Sequence, residues 1–93
     1  ALRLVAAGAC DYLNIKLAKS AGIHTALKIN AVAEAAGLPC MIGCMTETSC
    51  GILAAAALAP LCDFADIDGC WLVKNNPFEM PGLVGGRIEM LEG

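Results

Sequence analysis

Apolar and polar positions change their spacing along the chain in a way that predicts short strands separated by helices. Residues 12–17 alternate apolar and polar side chains, which is typical of a strand with one buried face. Residues 40–45 form a continuous apolar run bounded by turn residues, as does a strand that is buried on both faces. The other predicted elements are the end of a helix over 2–9, helices over 23–36 and 52–61, and a third strand over 64–67.

The alternation of strands with helices of these lengths predicts parallel β-α-β units. Three parallel strands alone leave both edges of their sheet unpaired. The closed solutions are a doubly wound sheet, usually of about five strands or more, and an eight-stranded barrel of about 250 residues. Because the chain has 93 residues, we predict that it forms part of a larger α/β fold.

Composition narrows the possible partners. Hydrophobic residues make up 58% of the chain and charged residues 16%, which excludes a disordered chain. The net charge of −3 and the lack of a basic run argue against nucleic-acid binding. Residues 46–49 are polar and divide the most apolar stretch, residues 35–61, into halves shorter than the roughly 20 residues of a membrane span. We therefore expect neither a nucleic-acid partner nor a membrane partner.

The cysteines are predicted to be reduced. An even number could form disulfides, but long alanine-rich helices are not typical of a small disulfide-rich domain. No CxxC motif occurs, and His24 is far in sequence from any pair of cysteines, so we expect no metal ligands in this chain. Reduced thiols favour a cytoplasmic protein. The cysteines are Cys10, Cys40, Cys44, Cys50, Cys62 and Cys70.

Polar side chains lie where the predicted strands end, which is where α/β folds bind their ligands. Asn14 and Lys16 are predicted to share one face of the first strand, and Asp66 and Asp68 one face of the third. A desolvated lysine can act as a base, and paired carboxylates suit an ammonium group. Each feature also has a structural interpretation: a solvated lysine, an Asp-x-Asp-Gly turn, and, for Glu47, a favourable charge near a helix N-terminus.

Four segments, in order, resemble the muconate-lactonising subgroup of the enolase superfamily. Residues 11–23 are similar to the sixth barrel strand and the turn after it, and the Asp-x-Asp of residues 66–68 is typical of dipeptide epimerases in that subgroup. The resemblance implies a partial TIM-type (β/α) barrel over residues 1–74, with about its last three strands. It also implies an irregular tail over 75–93 that returns toward an N-terminal capping domain. The remaining matches are residues 37–48 to the seventh strand and its Glu-bearing loop, residues 51–57 to the seventh helix, and residues 64–69 to the eighth strand.

The resemblance also implies a reaction. In that family a Mg²⁺ ion holds a substrate carboxylate and two lysines flank the α-carbon, so that a proton is removed and returned through an enediolate. The implied activity is epimerisation of a small dipeptide substrate of the Ala-Glu type. Lys16 would be one acid/base, Asp66 and Asp68 would bind the α-ammonium group, and Cys44 and Glu47 would line the substrate site. The second lysine and the Mg²⁺ ligands belong to earlier strands, for which this sequence has no counterpart.

Two departures and two alternatives accompany this interpretation. The family usually has Gly-Gly where this chain has Ala21-Gly22, and residues 51–66 are a few residues short. One alternative is another reaction of the superfamily, cycloisomerisation or dehydration, although substrates without an ammonium group have no use for Asp66 and Asp68. The other is a non-catalytic fragment that self-associates. We expect the open sheet edges to be covered by a homo-oligomer or by further barrel segments.

Overall fold

A parallel sheet of three strands forms the centre of the protein, whose computed structural model describes residues 1–90. The strands are β1 (Leu13–Lys16), β2 (Cys40–Gly43) and β3 (Phe64–Ala65), and they lie side by side in chain order. The register pairs Lys16 with Gly43 on the first two strands and Ile42 with Ala65 on the last two. The third strand ends two residues earlier than predicted.

Helices connect the strands close to the predicted positions. Helix α1 (Leu2–Ala6) precedes β1, α2 (Ile23–Ala35) connects β1 to β2, and α3 (Ser49–Leu58) connects β2 to β3. Helix α2 ends where Gly37 takes a positive φ of 70° and the N–H of Leu38 donates to the carbonyl of Ala33 at 2.9 Å. Helix α3 begins three residues before its predicted start and narrows into a 3₁₀ turn over Ala59–Leu61, where Pro60 has no N–H to continue an α-helix.

The buried core lies between the sheet and the two longer helices. Leu13 and Ile15 of β1 and Ile42 of β2 are at most 7% exposed. They pack in one cluster with alanines of both α2 and α3, whose small side chains let the helices approach the sheet closely. The alternate residues of the same strands, such as Asn14, therefore point to the other face of the sheet.

Both crossover helices cover the same face of the sheet, and the strand order never reverses. A doubly wound sheet needs a point at which the strand order reverses, whereas a barrel is wound in one direction. The chain therefore forms an arc of a (β/α) barrel, and the predicted fold class is confirmed. Within residues 1–90, no helix has the length and the apolar character that a membrane crossing requires.

The tail is more regular than predicted. Strands β4 (Gly82–Val84) and β5 (Arg87–Glu89) form an antiparallel hairpin. Its turn residues Gly85 and Gly86 have φ values of 56° and 79°, as a two-residue hairpin turn with positive φ at both positions requires. The prediction of an irregular tail over 75–93 is therefore wrong for residues 82–89, and residues 91–93 lie outside the described part of the chain.

Candidate active site

Lys16 is the last residue of β1 and lies half-buried on the face of the sheet that the helices leave open. The hydroxyl of Ser20 donates a hydrogen bond to the carbonyl oxygen of Lys16 at 2.7 Å. This bond ties the end of the strand to the turn that follows it. The backbone that carries the Lys16 side chain is therefore held at both ends, by the β1–β2 ladder and by Ser20.

Lys16, Gly43 and Asp66 lie in one row across the sheet. Lys16 pairs with Gly43, and the N–H of Asp66 donates to the carbonyl of Ile42 at 2.9 Å, which extends the β2–β3 ladder by one residue. The row places a lysine and a carboxylate on the open face, separated by a residue without a side chain. Sequence reasoning identified Lys16 and Asp66 as site residues but did not place them in register.

Gly43 has a role that sequence reasoning missed. A Cβ at this position would lie 2.6 Å from Oδ1 of Asn14, because the Asn14 amide lies across the backbone of Gly43. A side chain at position 43 would therefore displace Asn14 and fill the space beside Lys16. A glycine inside a strand was the available signal, since it marks close approach of another group.

Asp66 and Asp68 do not share a strand face as predicted. The strand ends at Ala65, and Asp68 has φ −95° and ψ 3° because it starts a 3₁₀ helix over Gly69–Leu72. Both carboxylates are nevertheless exposed and line the same groove, which has a volume of about 560 Å³. The groove lies beside β3, between the end of α3 with its 3₁₀ turn and the β4–β5 hairpin, and Arg87 lines its hairpin side.

Cys44 and Gly69 bring the ends of β2 and β3 together. A Cβ at position 69 would overlap the carbonyl oxygen of Met45 and would lie 3.2 Å from Sγ of Cys44. Only a glycine allows the turn that follows Asp68 to approach the loop after β2 this closely. The half-buried Cys44 thus packs against the turn next to the two aspartates.

Glu47 lies half-buried between β2 and α3, and its carboxylate folds over the first turn of the helix. A Cβ at Gly51 would lie 3.0 Å from Oε1 of Glu47, so Gly51 leaves the space in which this carboxylate sits. A negative charge there is favoured by the partial positive charge of the helix N-terminus. The structure thus gives Glu47 a contact with α3, while its role toward a substrate stays a prediction.

The cysteines are free thiols, and the buried ones are held in the protonated form. Burial raises the pKa of Cys40 to about 11, with Cys62 and Asp63 adding to the effect. Burial also raises the pKa of Cys62 and of Cys70. Protonated thiols are poor nucleophiles and poor metal ligands.

Across residues 1–90, no three histidine, cysteine, aspartate or glutamate side chains come together as a metal site would need, so these residues do not fit a Mg²⁺ ion.

Comparisons with known proteins agree with this geometry. Residues 1–84 match the family described as enolase C-terminal domain-like. The L-Ala-D/L-Glu epimerase of Bacteroides thetaiotaomicron is 46% identical over 83 residues, which are 89% of this chain and 22% of that protein. The hydrophobic dipeptide epimerase of Enterococcus faecalis is 62% identical over 60 residues, which are 63% of this chain and 17% of that protein.

Solved structures show the same relationship. The dipeptide epimerase from Methylococcus capsulatus, complexed with Mg and the dipeptide L-Arg-D-Lys, superposes with a TM-score of 0.87 at 35% identity. The match covers 98% of this chain and 27% of that one, so the chain spans about a quarter of the length of the proteins that it resembles. The family match, together with a singly wound arc whose strand ends carry Lys16 and Asp66, shows that this chain belongs to the enolase C-terminal domain-like family.

Proposed function

We propose that this chain is the part of a dipeptide epimerase that supplies one proton-transfer lysine and the binding site for the substrate's ammonium group. The observation that carries the proposal is the row of Lys16, Gly43 and Asp66 on the open face of the sheet. The chain spans about a quarter of its relatives' length, so the activity is proposed for a whole enzyme that includes this segment.

The spacing of the row suits a dipeptide. Neighbouring strands lie about 4.8 Å apart, so the backbones of Lys16 and Asp66 are separated by about 10 Å across Gly43. The two α-carbons of a dipeptide are about 3.8 Å apart. If Asp66 and Asp68 hold the ammonium group of the first residue, the α-carbon of the second residue extends over Gly43 toward Lys16.

Lys16 would then act on one face of that α-carbon. Its unprotonated Nζ accepts the α-proton of one epimer, and its protonated Nζ returns a proton to form the other. Epimerisation needs a second group on the opposite face, which the proposal places outside this segment. One proton leaves and one proton is added, so the reaction requires no oxidant or reductant.

Magnesium enters the proposal only through the relatives. The enzyme from Methylococcus capsulatus was solved with Mg, whereas residues 1–90 of this chain hold no group of side chains that fits the ion. In the proposed whole enzyme, the metal ligands would therefore come from other strands. The steps assigned to Lys16, Asp66 and Asp68 do not depend on metal contacts within this segment.

The test is a chimera in which this chain replaces the segment that it matches in the Bacteroides thetaiotaomicron epimerase. We expect the chimera to epimerise L-Ala-L-Glu, and we expect Lys16→Met to reduce kcat at least a thousandfold, since one proton-transfer group is lost. Exchange of the α-proton of one epimer in D₂O should survive, because the opposite-face group remains. An inactive chimera that folds, or an active Lys16→Met variant, would contradict the proposal.

The aspartates provide a second test in the same chimera. Hydrogen bonds to charged groups contribute about 1.5–3 kcal/mol, so Asp66→Asn or Asp68→Asn should lower kcat/KM for a free dipeptide roughly ten- to a hundredfold. The double variant should lower kcat/KM more than either single variant does. The loss in free energy should be smaller than the sum of the two single losses, since both carboxylates bind one ammonium group. An N-acetylated dipeptide lacks that charge and should be a poor substrate that is less affected by the double variant. Equal effects on both substrates would assign the pair to turn structure instead.

A further inference from the structure

Asn76 links the tail to the helix that follows β2, although the proposed chemistry gives the tail no role. Its Oδ1 accepts hydrogen bonds from the backbone N–H of Ser49 at 3.4 Å and of Phe78 at 3.2 Å. Its Nδ2 donates to Oγ of Ser49 at 2.9 Å and to Sδ of Met80 at 2.8 Å. Both ends of the amide are thus used, and they connect residues 27 positions apart.

The partner of Asn76 is the first residue of α3, and it is fully buried. Ser49 is 0% exposed, and the residue before it, Thr48, makes no capping hydrogen bond with its side chain. The first N–H groups of a helix have no partner within the helix itself. Asn76 therefore satisfies an N–H and a hydroxyl that would otherwise be buried without a partner.

The sequence around Asn76 prepares its amide for this contact. Pro77 has no N–H, so the first backbone donor after Asn76 is Phe78, whose N–H binds Oδ1. This arrangement is a turn closed by the asparagine side chain, a common use of Asn before Pro. This local hydrogen bond within the tail therefore orients Oδ1 toward Ser49.

Residues 44–48, here named the substrate loop, lead directly into the turn that Asn76 holds. Glu47 lies in this loop and packs its carboxylate over Gly51 in the first turn of α3. Cys44 starts the loop, and its Sγ lies beside Gly69, the residue that follows Asp68. We propose that Asn76 is a positioning residue, which sets the substrate loop by fixing the start of α3. This inference rests on the proposed function, because the position of the substrate loop affects activity only if a substrate binds beside it.

Variants of Asn76 separate local positioning from general stability. Asn76→Leu has a similar shape but removes all four hydrogen bonds, whereas Asn76→Asp keeps the acceptor and places a charge that the helix N-terminus favours. Asn75→Leu changes an exposed neighbour and is the matched control. Ser49→Ala removes only the hydroxyl partner and serves as a milder variant if Asn76→Leu does not fold.

Amide hydrogen exchange on the full chain tests the structural part. We expect exchange in residues 44–51 to be about tenfold faster in Asn76→Leu and about threefold faster in Ser49→Ala, with β1 unchanged. Asn76→Asp and Asn75→Leu should match the unmodified chain. Unchanged exchange in residues 44–51, or an equal increase in β1, would overturn the role of Asn76.

Kinetics of the chimera test the functional part. A misplaced substrate loop should raise KM for the dipeptide about tenfold while kcat stays within about threefold, and Asn76→Asp should restore KM. A fall in kcat with KM unchanged would overturn the proposal. If the unmodified chimera is inactive, the proposed function fails, and the exchange experiment still decides whether Asn76 holds the loop.

Discussion

The two faces of the parallel sheet differ in what covers them. On one face, Ile15 and Ile42 are at most 2% exposed beneath α2 and α3. On the other, Phe64 remains 54% exposed and Asn14 and Asp66 are also exposed. The covered face holds β1 and β2 against the helices, while Ala65 of β3 stays exposed. The open face carries the candidate chemistry and is the face that a closed barrel would enclose.

The open face is itself divided along the strands. Tyr12 and Phe64 form an aromatic pair at the end of this face where the strands begin, with ring centroids 6.1 Å apart. Lys16 and Asp66 lie at the other end, where the strands finish. Barrel interiors are filled by layers of side chains below an active site at the carboxyl ends of the strands. The open face therefore has both the packing layer and the site layer of a barrel, each lacking its remaining members.

The largest expected effect follows from the uncovered open face and sheet edges. The isolated chain should elute as oligomers well above 9.5 kDa, because two sheet edges and the aromatic pair are free to associate. Phe64→Glu should shift the distribution toward the monomer. Leu72→Glu changes an apolar residue of the Gly69–Leu72 helix that is even more exposed, at 66% against 54%, and should shift the distribution less. Size-exclusion chromatography with light scattering gives the masses. A monodisperse monomer with a sharp melting transition would show that the open face needs no cover.

The covered face should respond most strongly to the loss of side-chain volume. Ile42→Ala removes a side chain that is 0% exposed and should lower the free energy of unfolding of the chimera by about 2–4 kcal/mol. Ile23→Ala makes the same chemical change at a residue that is 46% exposed, and its cost should stay below about 1 kcal/mol. Urea unfolding followed by circular dichroism measures both. Similar values for the two variants would mean that the core is not where the structure puts it.

The two faces also differ in how far the sequence could predict them. The covered face follows from local patterns, since alternation in residues 12–17 and the apolar run after Pro39 are repeated in the burial of Leu13, Ile15 and Ile42. The identity of Lys16 and of the aspartates came from strand ends and from the family resemblance. The register of these residues across the sheet could not be predicted in this way, because it depends on how separate strands pair.

Contacts between distant segments were the main features that sequence reasoning missed. The close approach of Gly69 to Met45 and the bond from Asn76 to Ser49 join residues more than twenty positions apart. The hairpin in the tail was missed for another reason, although Gly85-Gly86 is a strong hairpin-turn signal. The strands that flank it are only three residues long, which is too short for a clear alternation.

A smaller effect on the covered face should depend on pH. Burial raises the pKa of Cys40 from 9.0 to about 11 in the folded protein. Between pH 9 and 11 the unfolded chain therefore loses this proton while the folded chain keeps it, so the stability of the chimera should fall as the pH rises. Cys40→Ala should reduce this fall, whereas Cys50→Ala, at an exposed position, should not. Urea midpoints measured from pH 8 to 11 provide the test, and equal slopes for all three proteins would contradict it.

The smallest effect concerns the turn over residues 20–22, which leads from the end of β1 into α2. Ala21 has a φ of 57°, a left-handed conformation that a residue with a side chain adopts at a cost, and the next residue, Gly22, has φ 102°. Ala21→Gly should relieve this cost but add flexibility to the unfolded chain, so the net gain in stability should be about 0.5–1 kcal/mol. Ala18→Gly, in the 3₁₀ turn before it, is the matched control and should lower stability. Because Ser20 ties this turn to the Lys16 carbonyl, kcat of the chimera should be unchanged if the turn keeps its shape. A loss of stability in Ala21→Gly would show that the left-handed turn is held without strain, and a loss of kcat alone would show that the alanine helps to fix Lys16.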